Sequence, residues 1–127
     1  MPKKPTRSKV VKKLDVVFSQ YIRLSNADKN GYCTCVTCGK KYHWKQIQAG
    51  HFMSRKHYNT RWVEDNVKPQ CYGCNVMQQG QQYRFSKYLG NNLSEQLYSK
   101  SKEVVKFTTD ELQDKITYYS ERVKKFL

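Results

Sequence analysis

The chain has 127 residues, 38% of them hydrophobic, and sets 24 Lys and Arg against 10 Asp and Glu for a formal net charge of +14. That length is one domain's worth, and that apolar share excludes a large core without a staple. The charge points to a polyanionic partner, nucleic acid before any other, against the plainer reading of a merely basic, solvated surface.

Residues 1–8 read as a basic arm, with Pro2 and Pro5 opposing helix. The segment MPKKPTRSKVVKK has six basic residues, no acid and no apolar stretch, so it is no secretory signal, and no apolar run reaches membrane-spanning length. A cytoplasmic protein without a membrane partner is expected. Over residues 9–26 the apolar Val11, Leu14, Phe18, Tyr21 and Ile22 recur at helical spacing, and NADKNG marks the turn that ends the helix. From Tyr32 to Pro69 the pattern changes to short β-prone pieces, including CTCVTCGKKYHW and TRWV. A helix is predicted to restart just after Cys74, another to run from Tyr83 to Leu89 and stop at Gly90, and a third to lie between Asn92 and Ser101. TTDE then offers a capping box, Thr108 with Glu111. Behind it Leu112, Ile116, Tyr119, Val123 and Phe126 form a heptad-like stripe, to be packed on its own domain or used as a homodimer seam.

Cys35-x-x-Cys38 and Cys71-x-x-Cys74 are two knuckles with 32 residues between them. Four thiolates in this pattern suit tetrahedral zinc, and five cysteines in a reducing compartment argue for a metal over disulfides. Such a site is closed and structural. Cys33 is left over, as an unliganded thiol or as a substitute for Cys35. A Cys₃His site using His43 or His51 is the competing arrangement.

Gly50-His51, then Asn66, then Cys71-x-x-Cys74-Asn75 resembles the HNH arrangement of ββα-metal nucleases, in an HNN form with nine positions from Asn66 to Asn75. More narrowly, YIRL (21–24), CVTCGK (35–40), AGHF (49–52), TRW (60–62), EDNVKPQC (64–71), GCN (73–75) and YR (83–84) resemble the bacteriophage NinG (Rap) recombination nucleases over roughly residues 14–90. The resemblance implies an α+β fold: a small zinc-stapled ββα-metal core over residues 9–90, flanked by an N-terminal helix and a helical region at 91–127. It also implies a metal-dependent DNA endonuclease acting on branched recombination intermediates such as Holliday junctions and D-loops, in the cytoplasm of a bacterial host if the chain is of phage origin.

By the same resemblance His51 is the general base, Asn66 orients it, and Asn75 is a ligand to catalytic Mg²⁺ or Mn²⁺. The chemistry agrees. Phosphodiester hydrolysis needs a base for water and a cation for the charge on the phosphorus centre; imidazole can accept a proton near neutral pH; and a hard cation takes amide oxygen, water and phosphate. The departure is Gly50, where many HNH enzymes carry a metal-binding Asp. The favoured arrangement rests the metal on Asn75, waters and phosphate alone; His57 is the next candidate ligand, with Glu64 and Asp65 as further alternatives. Arg55 and Arg61 are expected at the scissile phosphate, and Arg84 at the DNA backbone. Trp62 could stack on an unpaired base but reads better as core.

Two other functions fit the same residues. A non-catalytic zinc-clip DNA-binding accessory of recombination or packaging would explain the missing Asp. A sequence-specific nuclease would need a helix reading base edges, and none is evident.

Overall fold

The computed structural model describes residues 4–127. Thr6 accepts a hydrogen bond from the Lys9 N–H and caps α1 (Arg7–Ser25). The last two residues of the expected basic arm are therefore helical, and residues 1–3 lie outside the described part. A three-residue hairpin, β1 (Tyr32–Thr34) antiparallel to β2 (Lys41–His43), carries the first knuckle in its loop. A second antiparallel pair joins β3 (Gln48–His51) to β4 (Val67–Gln70), with His51 opposite Val67 and Gln48 opposite Gln70.

The connection between β3 and β4 holds a single helical turn, α2 (Tyr58–Arg61), and a 3₁₀ turn, Glu64–Asn66. TRWV, expected as β-prone, is the end of α2 and its exit. Local bonds override strand propensity there: the Arg61 N–H reaches the His57 carbonyl and the Val63 N–H reaches the Thr60 carbonyl.

Beyond Cys74 the predicted helix is only one wide π-type turn, Gly73–Met77, closed by the Gln78 N–H on the Gly73 carbonyl at 2.9 Å. NVMQQGQQ offers no apolar stripe to bury, so nothing draws a regular helix onward. Instead the chain reverses through Gln79, Gly80 and Gln81, all left-handed, with φ of 55°, 88° and 49°. Then follow α3 (Gln82–Leu89), α4 (Asn91–Ser101) and α5 (Thr109–Lys124), the last opened by the capping box of Thr108 and Glu111.

Three apolar clusters hold these pieces. Leu14, Phe18 and Ile22 of α1 meet Leu112, Ile116, Tyr119 and Val123 of α5, with Trp62 and Val67 beneath them. The α5 stripe is thus spent inside the chain's own core, and only Phe126 of its five residues stays exposed. Of the two readings open for the stripe, packing on its own domain accounts for Leu112, Ile116, Tyr119 and Val123. The cysteines with Ile47 make a second cluster, and Phe52, Phe85 and Leu97 a third under α3 and α4.

Candidate functional site: a thiol clip beside an open cleft

The Sγ atoms of Cys35, Cys38, Cys71 and Cys74 all lie within 4.8 Å of one another, and none is in a disulfide. The Cys38–Cys71 separation of 3.8 Å is the edge of a tetrahedron with zinc–sulfur bonds of about 2.3 Å. Backbone N–H groups already point at sulfur, that of Cys71 at Cys35 (3.4 Å) and that of Cys74 at Cys71 (3.5 Å). Burial pushes the Cys35 thiol up, but the Thr37 hydroxyl and the N–H groups of Cys71, Thr37 and Cys38 outweigh it and bring the pKa down to about 6. Burial and the neighbouring sulfurs push Cys74 up to about 12, and Cys38 in the same direction. One thiolate thus hinders the next unless a cation sits among them, and the donor set fits zinc. Neither His43 nor His51 joins this cluster. Cys33 is buried apart, its thiol donating to the Arg23 carbonyl at 3.1 Å, in keeping with an unliganded thiol.

Beside the clip a cleft of about 760 Å³ runs along β3, walled by α1 on one side and by the Asn75–Gln82 turn on the other. His51, Asn75, Arg55, Asp15, Arg23 and Gln48 line it. His51 ends β3, and its Nε2 lies 3.0 Å from the Arg61 carbonyl oxygen. A carbonyl only accepts, so Nε2 carries the proton and Nδ1 keeps a lone pair. Burial first, then the charges of Arg55 and Arg61, push its pKa down to about 4. At neutral pH the ring is therefore uncharged.

Asn75 stands within the π-type turn. Its amide nitrogen donates to Gln48 Oε1 at 2.8 Å, leaving Oδ1 as a spare acceptor. Its backbone N–H is used by the Cys71 carbonyl at 2.8 Å, so this residue offers no helix-start N–H to a phosphate. Asn66 is fully buried and ties the loop after β3: Oδ1 accepts from the Met53 N–H, and Nδ2 donates to the Met53 and Thr60 carbonyls. It fixes the segment one residue before the Arg61 carbonyl that holds His51.

Other expected residues fall elsewhere. The Arg61 guanidinium is bidentate on Asp15, donates to the Arg55 carbonyl and packs over Tyr58 and Trp62; three of its five N–H donors are thus engaged inside the chain, and it does not line the cleft. Arg55 is exposed on the cleft wall. Arg84 is exposed on α3, away from the lining. His57, expected as a further metal ligand, lies in a separate hollow of about 310 Å³ with Ser101 and Glu103. Glu64 accepts from the Tyr119 hydroxyl, and neither it nor Asp65 reaches the cleft.

Asp15, Arg23 and Gln48 carried no role in the sequence. The signal for two of them was there: Asp15, Ser19 and Arg23 recur every fourth residue, a polar line beside the apolar face of the helix. Arg23 is held by the Trp44 carbonyl (2.8 Å) and by Ser19.

No helix among the described residues is long and apolar enough to cross a membrane. The sequence profile of the family described as bacteriophage lambda NinG protein matches residues 3–126. No curated protein and no solved structure matches the chain.

Proposed function

The chain belongs to the bacteriophage lambda NinG family, and from that premise we propose that it is a metal-dependent, HNH-type DNA endonuclease that cuts branched recombination intermediates. The observation that carries this reading is the meeting of His51 and Asn75 on one cleft, the first with an unprotonated ring nitrogen and the second with a spare amide oxygen. The chain order of β3, β4 and the π-type turn that carries Asn75 supports the reading, although that turn is not the helix the resemblance implies.

Arg55 and Arg23 receive the phosphate backbone of the DNA. His51 Nδ1 takes a proton from a water molecule as its oxygen bonds to phosphorus. The phosphorus–O3′ bond breaks, and the departing oxygen is protonated from solvent. Mg²⁺ or Mn²⁺, when bound, supplies positive charge to the phosphate and to the leaving oxygen, and Asn75 Oδ1 is the side chain that would hold it. The buried clip stays outside the chemistry: its four thiols fit a structural zinc ion and keep Asn75 in place.

The rival reading, a non-catalytic DNA-binding accessory, has one observation in its favour: the residue before His51 is Gly50 and not a carboxylate. The deciding experiment compares wild type and His51→Ala on matched four-way junction, flap and linear duplex, with Mg²⁺, Mn²⁺ or EDTA. Metal-dependent cutting of the branched DNAs by wild type alone is the expected result. Binding of all three without cutting in either metal would give the rival its case.

A further inference from the structure

Gly50 is where the HNH reading misses a carboxylate, and the space beside it is filled. A Cβ on Gly50 would overlap Gln70 Oε1 and come within 2.8 Å of the Gln70 Cβ, so no side chain fits there. Gln70 is wholly buried at the end of β4, on the strand neighbouring Gly50. Its amide nitrogen donates to two partners, the Thr37 hydroxyl at 3.1 Å and the Gly80 carbonyl at 2.8 Å. Thr37 Oγ1 in turn lies 3.4 Å from Cys35 Sγ. An unbroken run of polar contacts therefore leads from the thiol clip to Gly80 on the cleft wall.

What Gln70 holds is a turn that contains both of the non-glycine residues with positive φ among the described residues. Gln79 and Gln81 are left-handed residues with a Cβ, flanking Gly80, and such conformations persist only where their surroundings impose them. Gln79, Gly80 and Gln82 line the cleft opposite α1. Gln70 Oε1 has no hydrogen-bond partner and is directed at Gly50, where only a Cα–H can approach it.

We propose that Gln70 is a positioning residue: it clamps the left-handed turn at 79–81 and joins that wall of the cleft to the clip through Thr37, and position 50 is glycine because Gln70 crosses the space of its side chain. Gly50 and Gln70 are then one device, and the lost Asp is the counterpart of a gained buried amide. The kinetic part of this inference rests on the endonuclease reading above; its structural part does not.

The test uses the zinc-loaded full chain carrying Gln70→Met, which keeps volume and removes both donors. Amide exchange at Gly80 and Gln81 should quicken at least tenfold, while exchange in the α1–α5 core and the zinc content of one ion per chain stay as in wild type. On branched DNA, kcat per folded molecule should fall tenfold or more with KM within twofold, the folded fraction being fixed by the unchanged exchange of the α1–α5 core. Unchanged protection at Gly80 would overturn the proposal whether or not the protein cuts DNA, and faster exchange with no cleavage by wild type would sink only the endonuclease reading. Should Gln70→Met fail to fold, Thr37→Val is read instead. It leaves the bond to Gly80 but frees the amide from the clip, and it should quicken the same two amides by a smaller factor. No change there would equally overturn the proposal.

Discussion

Asp15 and Arg61 stand 46 positions apart in the sequence, and the carboxylate of one takes both Nε and a terminal nitrogen of the other. This pair pins α1 to the loop whose carbonyl holds His51, and the Trp62 indole N–H adds a third bond to the same carboxylate at 3.0 Å. Both partners are mostly buried.

Asp15→Asn should therefore destabilise the fold by about 2 kcal/mol, between the values of exposed and fully buried pairs, because it strands a guanidinium in a partly dry site. Urea unfolding of Asp15→Asn, Arg61→Gln and the double variant gives the check. The double variant should lose clearly less than the sum of the singles. Strict additivity would mean that the two side chains do not stabilise each other.

Removal of zinc should unfold the knuckle hairpin and the Asn75 turn before the helical core. Metal analysis should find one zinc per chain, lost in Cys35→Ser and in Cys71→Ser. Cys33→Ser should keep its zinc, because that thiol serves only the Arg23 carbonyl. A Cys33 variant without metal would reassign the ligand set.

Acid should weaken the fold through His51. Its folded pKa is about 4 against an ordinary 6.5, so between those values the unfolded chain binds more protons than the native one. Stability is whole above pH 6.5 and drains away as pH falls toward 4, by up to about 3 kcal/mol. The measurement is the difference between wild type and His51→Gln in urea unfolding at steps from pH 7.5 to 4, which cancels any acid effect on the cysteines. Parallel curves would show that the buried imidazole is not resisting protonation.

Leu112→Asp with Ile116→Asp should collapse the protein. Both side chains are buried against α1, at 0% and 3% exposure, and a carboxylate there faces Leu14 and Phe18 without a partner. Loss of the cooperative thermal transition is expected in circular dichroism. A folded double variant of half the wild-type mass in sedimentation would restore the helix as an interface between copies.

Much of this fold could be read from residues alone because its signals are local. Apolar spacing marked α1 and α5, the Thr108–Glu111 box marked where α5 opens, and paired Cys-x-x-Cys marked the clip. What escaped depends on partners that leave no mark in sequence. His51 is oriented by a backbone carbonyl, which any residue would supply. Arg61 looked like a phosphate ligand because nothing in TRW announces that Asp15 will claim it. Gln48 and Gln70 are ordinary amides until strand pairing sets them side by side against Asn75 and Gly80.

The two tryptophans give the cleft a voice of its own. Trp44 offers its carbonyl and its ring to Arg23, and Trp62 its indole N–H to Asp15. Each indole is thus one contact removed from a charged group on opposite ends of the α1 wall. Light absorbed by either ring is emitted with a colour and yield set by that neighbour. A polyanion that draws Arg23 toward itself would alter the emission of Trp44, while Trp62, shielded behind the Asp15–Arg61 pair, would serve as the internal reference.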